Sequence, residues 1–101
     1  MLLMESKCSY PERLFTAKLS GSFLTEDNKK FEDVHNAVDD KYIDAIVIDM
    51  EEVKFLDSAA FGNLLMLFAK SQEKEKNVFI TGVSMDLKDA LEKMEFSKLP
   101  S

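Results

Sequence analysis

The chain has 101 residues, 46% of them hydrophobic and eight of them Phe, which suits one domain with its own core and is short for two. Its net charge of −6 disfavours nucleic acid and anionic membrane surfaces as partners, and Lys29-Lys30, Lys74 and Lys76 sit among acids instead of forming a basic patch. Cys8 is the one cysteine, which excludes an internal disulfide and a multi-thiolate metal site, and no window approaches the ~20 apolar residues of a membrane span.

Met1-Leu2-Leu3-Met4 is too brief an apolar run for a signal peptide, so a cytoplasmic chain is expected, with Cys8 a half-buried strand thiol in a reducing compartment. Residues 2–9 suit an edge strand. Tyr10-Pro11-Glu12 is a turn, because Pro11 pushes Tyr10 toward extended geometry. Leu14, Phe15, Ala17 and Leu19 then form a strand with one buried face, hairpin-paired to the first and ended by Gly21-Ser22.

Thr25 is placed to cap a helix from about 26 to 39, with Glu26 and Asp27 in its first turn and Phe31, Val34 and Val38 at helical spacing. A strand from about 43 to 49 follows. Its unbroken run Ala45-Ile46-Val47-Ile48 predicts cover on both faces. After a polar turn, Ser58 opens a helix that is apolar nearly all round from Ala59 to Ala69. That helix is either buried on most sides or keeps an apolar face for a partner. Val78 to Thr81 is a further buried strand, which Gly82 ends. Ser84 caps a last helix with Asp86 in its first turn and Leu87, Leu91 and Met94 on one face. The order β-β-α-β-α-β-α predicts an α/β fold, a mixed sheet with helices packed against it, in one domain over residues 1–101.

Catalytic chemistry finds little support. His35, the only histidine, has no second His or Cys with which to share a metal. Gly-x-Ser-x-Gly is absent, because Leu56 and Ala60 occupy the glycine positions around Ser58, and three glycines supply no phosphate-binding loop. Asp49, Glu51, Glu52 and Asp57 form an acidic rim to the turn. No catalytic residue, cofactor or metal is therefore expected. Ser58 stays open to three readings: a helix N-cap, a phosphorylation site, or the nucleophile of a small hydrolase that lacks an evident base.

The segment Val53-Lys54-Phe55-Leu56-Asp57-Ser58-Ala59-Ala60-Phe61-Gly62 resembles the STAS domain of bacterial anti-sigma factor antagonists. Asp49, Asp57, Ser58 and Gly62 match its pattern, Leu19-Ser20-Gly21 is similar to its Leu-x-Gly, and Val78 to Val83 fits its later strand. Ala59 stands where the family carries a second hydroxyl and Ala60 where it carries a glycine, which leaves one phosphoacceptor.

The resemblance implies a STAS-like fold and a non-enzymatic module that binds an anti-sigma factor with serine kinase activity. In the family that kinase phosphorylates the serine found here as Ser58, and a cognate phosphatase resets it. The partner surface it implies is Asp57, Ser58, Ala59, Ala60, Phe61, Gly62 and Asn63, on a monomer or weak dimer that neither binds nucleic acid nor inserts in membrane. The alternative is a STAS subunit of an ABC-type lipid transport complex or other signalling assembly, in which Ser58 is never phosphorylated.

Overall fold

The computed structural model describes residues 1–83 together with Met85 and Asp89. Four strands form one sheet in the order β1 (Leu2–Ser9), β2 (Leu14–Phe23), β3 (Ala45–Leu56) and β4 (Asn77–Thr81). The hairpin expected from the sequence is present: β1 runs antiparallel to β2, from Leu2 opposite Gly21 to Ser9 opposite Leu14. The remaining neighbours are parallel, so the sheet is mixed. Two helices, α1 (Glu32–Asp39) and α2 (Ser58–Glu73), form the crossovers between parallel strands.

The core lies on one side of the sheet. Phe15, Ala17 and Leu19 of β2 and Ile46, Ile48 and Met50 of β3 face Val34 and Val38 of α1 and Ala60, Leu64 and Leu67 of α2. The spacing of Ala60, Leu64 and Leu67 is that of one helical face. Phe23 and Phe31 seal one end, with ring centroids 5.1 Å apart. The opposite face is not covered as the apolar run had suggested: Val47 and Asp49 are half-buried, and Phe79 is 54% exposed. A parallel neighbour on each side satisfies the backbone of β3, but among the described residues both helices lie on a single face.

Three boundaries move. The strand expected to stop at Asp49 continues to Leu56, because Ser20–Phe23 of β2 extends with it, from Ser20 opposite Glu52 to Phe23 opposite Leu56. β4 stops pairing at Thr81 and β1 at Leu2, opposite Gly21, so the extension ends as a ribbon of β2 and β3 whose exposed Glu51, Glu52 and Lys54 look like a turn in the sequence. Gly21 does not end β2. It takes φ +88° within the strand, beside a register shift, where an added Cβ would collide with the Met1 carbonyl.

The helix expected over 26–39 is split into a 3₁₀ turn, Thr25–Asp27, and α1. Asp27 ends that turn: its carboxylate accepts the Leu24 N–H (3.1 Å), the capping-box contact that starts the 3₁₀ turn, and the Leu2 N–H (3.3 Å), which ties the turn to β1. Burial raises the acid's pKa, yet those two amides and the nearby Lys30 outweigh it and hold the carboxyl below its ordinary value.

Cys8 is exposed, not half-buried: it lines an open pocket beside Asn36 and Ala37 of α1, which leaves the thiol uncovered. Gly82 does turn out of β4, at φ +70°, and an added Cβ would stand 2.7 Å from Glu51. The last helix's expected cap and apolar face, Ser84, Asp86, Leu87, Leu91 and Met94, lie outside the described residues.

Ile48 is fully buried between parallel neighbours at the centre of the core. Ile48→Ala is expected to lower unfolding stability by about 2–5 kcal/mol with an unchanged denaturant slope. Urea unfolding followed by circular dichroism checks this, and a loss below about 1 kcal/mol would contradict the placement of the core.

Candidate functional site

The ribbon of β2 and β3 brings two chain segments 32 residues apart to one place. Where it ends, Asp57 donates its N–H to the Phe23 carbonyl at 3.2 Å. The Asp57 side chain then makes three contacts. Oδ1 accepts the Ala60 N–H at 2.8 Å, while Oδ2 accepts the Thr25 N–H at 2.8 Å and the Thr25 hydroxyl at 2.9 Å. Asp57 is therefore the N-cap of α2, and the N-cap reading of Ser58 is corrected: Ser58 is the first helical residue, with its side chain exposed.

Thr25 is likewise no helix cap; it begins the 3₁₀ turn and is held by Asp57. The Ala60 amide first, then that of Thr25, outweigh partial burial and keep the Asp57 carboxyl below its ordinary value.

The first turns of α2 expose a graded surface. Ser58 and Ala59 are exposed, Ala60 is buried, and Phe61, Gly62 and Asn63 are half-buried. Ala59, Gly62, Asn63 and Met66 share one face at helical spacing. Together with His35 of α1 and Asn28 they line a groove of about 650 Å³. Met66 is 67% exposed along it.

Gly62 has nothing within 4 Å of an added Cβ, so close packing does not require a glycine there. Glycine inside a helix costs roughly 1 kcal/mol relative to Ala. The groove floor is thus held open at a cost the fold does not demand.

Polar links fix the groove walls. Asn63 donates from Nδ2 to Asn28 Oδ1 at 3.0 Å, and its Oδ1 meets His35 Nε2. His35 also packs edge-on to Phe31, with centroids 5.5 Å apart. Lys70 reaches back to the His35 carbonyl at 3.4 Å and to Asp39 at 2.8 Å.

Asn28, Lys29, Glu32, His35 and Met66 escaped the sequence reading as parts of this surface, because 28 to 35 residues separate His35 and Asn28 from Asn63. One signal was present. Asn63 is the lone amide in the apolar stretch Ala59–Ala69, and such a group needs a partner.

Among the described residues His35 makes no hydrogen bond to Ser58, and no cluster of His, Cys, Asp and Glu is arranged to hold a metal. Asp49, Glu51 and Glu52 do not border a turn, because all three lie within β3. Asp49 accepts the Glu51 N–H at 3.0 Å, and Glu52 pairs with Lys18 at 3.1 Å across the ribbon. No helix among the described residues is long and apolar enough to cross a membrane.

Comparison with known proteins places this geometry. The family model of the STAS domain matches residues 12–100. The fold is similar to that of the anti-sigma factor antagonist SpoIIAA in its unphosphorylated form, with TM-score 0.78 and 12% identity over 89% of this chain and 82% of that one. The Bacillus cell fate determinant SpoIIAA in its phosphorylated form gives TM-score 0.74 and 15% identity over 98% and 85% of the two chains. An anti-sigma factor antagonist from Mycobacterium paratuberculosis gives 0.70 and 18% over 96% and 82%. Identities this low speak for the fold alone. No curated protein matches by sequence.

Two substitutions separate the cap from its neighbour. Ser58→Ala is expected to change stability by less than about 0.5 kcal/mol, where loss of a true N-cap would cost about 1 kcal/mol. Asp57→Asn is expected to lower the urea midpoint at pH 7. A carboxyl whose folded pKa is depressed stabilises above its ordinary value of 3.8 and stops doing so as pH falls through the lower folded value. The difference between Asp57→Asn and wild type should therefore shrink below about pH 4. Equal midpoints at pH 7 would count against Asp57 as the cap.

Proposed function

The chain belongs to the STAS domain family, and from that premise we propose that it is an anti-sigma factor antagonist, a regulatory module that binds an anti-sigma factor with serine kinase activity and is switched by phosphate on Ser58. The binding surface is the start of α2, from Asp57 to Asn63, together with the groove that continues to Met66. A phosphatase resets the switch. The module has no catalytic residues of its own and works in the cytoplasm.

The observation that carries this reading is the pairing of an exposed Ser58 hydroxyl at the first position of α2 with the open groove over Gly62. A serine on the tip of a rigid helix is accessible to a kinase without unfolding. A glycine that packing does not require leaves room for a partner's side chain against the helix backbone.

Electrostatics then give the switch its sign. A phosphoryl group adds about −1.5 to −2 charges at neutral pH. Helix N-termini ordinarily welcome such a charge. Here the carboxylate of Asp57 already holds the Ala60 amide, so the phosphate is a second anion beside a first. It is directed outward, into the contact surface of a chain that already carries a net charge of −6. Binding suffers while the fold does not.

The structural neighbours support the same reading at the level of fold, since two of them are described as anti-sigma factor antagonists, and SpoIIAA is known in unphosphorylated and phosphorylated forms. Ala59 and Ala60 leave Ser58 the only hydroxyl among residues 57–63.

Affinity capture from a lysate of the source organism with wild type, Ser58→Ala and Ser58→Asp provides the test, read by mass spectrometry for partners and for phosphate on Ser58. Wild type and Ser58→Ala are expected to retain an ATP-binding kinase that Ser58→Asp loses. A transporter ATPase held equally by all three would move the protein to a structural role and remove the switch.

A further inference from the structure

β1 lies at an edge of the sheet. In an antiparallel pair, residues alternate between those whose backbone groups face the neighbour and those whose groups face away. Met1 accepts the Ser22 N–H through its carbonyl, which sets the phase: odd-numbered residues of β1 bond to β2, and even-numbered ones point outward. Leu2 obeys this, for its outward N–H and carbonyl are both taken from outside the sheet. Asp27 accepts the N–H at 3.3 Å, and Lys30 donates to the carbonyl at 2.8 Å. One end of the edge is closed in this way. Among the described residues, nothing caps the outward backbone groups of Met4, Ser6 and Cys8.

Such an edge is normally protected by proline, a bulge or charged side chains, lysine above all. Between Met4 and Cys8 there is no proline and no register shift, and the charges present cancel. The two charges on this stretch, Glu5 and Lys7, are of opposite sign and lie two residues apart on the open face of the sheet. Both are exposed, and among the described residues neither has an ion-pair partner.

We propose that the free edge of β1 pairs antiparallel with β1 of a second copy of this chain, with Ser6 on the twofold axis. Hydrogen-bond phase and charge select this register independently. With Ser6 opposite Ser6, Met4 falls opposite Cys8 of the second copy, so every outward amide meets an outward amide. Three residue pairs then exchange two bonds each, for six backbone hydrogen bonds.

The same register puts Glu5 directly opposite Lys7 of the second copy, and Lys7 opposite its Glu5. Both are closely spaced cross-strand pairs of opposite charge. A shift of one residue between the strands mismatches the amides. A shift of two sets Glu5 against Glu5 or Lys7 against Lys7. The product is a continuous sheet through both copies, joined at residues none of which belongs to the α1–α2 groove or to the Ser58 turn. Contact through a single strand from each copy buries little area, so the dimer is weak and depends on concentration.

Sedimentation equilibrium from micromolar to millimolar protein, with reductant present to keep Cys8 a thiol, measures the association. Wild type is expected to dimerise within this range. Glu5→Lys should weaken the dimer about tenfold by turning both ion pairs into repulsions, Lys7→Glu should do the same, and the double exchange should restore it. Ser6→Pro should abolish it while leaving the β1–β2 hairpin intact, because the Ser6 N–H faces outward.

Amide exchange in wild type gives a readout that needs no variant. Protection at Met4, Ser6 and Cys8 should rise with concentration, while Glu5 and Lys7 stay constant. A monomer up to millimolar concentration, a dimer indifferent to these substitutions, or protection independent of concentration would each overturn the proposal.

Discussion

The parallel pairing of β2 with β3 beyond Asp49 is the constraint on which the rest of the structure depends. Were β3 to stop where its apolar run stops, nothing would carry Asp57 to the end of β2. Because Ser20–Phe23 extends alongside it, Asp57 arrives bonded to Phe23 through its backbone and to Thr25 through its side chain. One carboxylate then caps α2 and fixes the 3₁₀ turn that precedes α1. Both walls of the groove take their positions from this junction. The junction has few alternatives, because each oxygen of Asp57 is committed to a backbone N–H and a buried core lies directly beneath it.

The single-sided core has a consequence for function. With both helices on one face, the crossover into α2 leaves its first turn at the rim of the helical layer, where Ser58 and Ala59 meet solvent while Ala60 is already buried. A helix that is apolar nearly all round therefore does two jobs along its length. Ala60, Leu64 and Leu67 anchor it, and Ala59, Gly62, Asn63 and Met66 are presented. Under the proposed function, the anchored face would let phosphate on Ser58 act on a partner without remodelling the fold.

A buried carboxylate organises the strand edge in the same way. Asp27 is 4% exposed and charged, which is tolerable because two backbone amides and the Lys30 ammonium surround it. Through Leu2 it ties the 3₁₀ turn to β1, so the turn below the groove and the start of the edge strand share one acid. Lys30 completes the arrangement by holding the Leu2 carbonyl.

Much of the fold was legible in the chain, because the periodicity of apolar residues records burial directly. The hairpin, the mixed sheet, the periodic residues Phe31, Val34 and Val38, and the strand–turn–helix context of Ser58 all follow from local pattern and turn chemistry. The motif around Asp57 and Ser58 pointed to the family without any coordinates. Other features were decided only in three dimensions. The ribbon of β3 mixes exposed Glu51, Glu52, Lys54 and Phe55 with half-buried Val53 and Leu56, so its apolar pattern is broken; beyond Asp49 its strand pairing comes from β2. The cap of α2 passed from Ser58 to Asp57 because choosing between adjacent capping residues depends on the φ and ψ at which the chain enters the helix, and β3 sets those. Asn63 was visible as an odd amide, but its partners Asn28 and His35 were not, since a hydrogen bond between residues 28 and 35 positions apart leaves no periodic trace. The sequence by itself determined the order of the elements and the apolar periodicity that turns Phe31, Val34 and Val38 inward. The tertiary structure decided which polar groups meet, because that depends on distances between segments that only the closed sheet brings together.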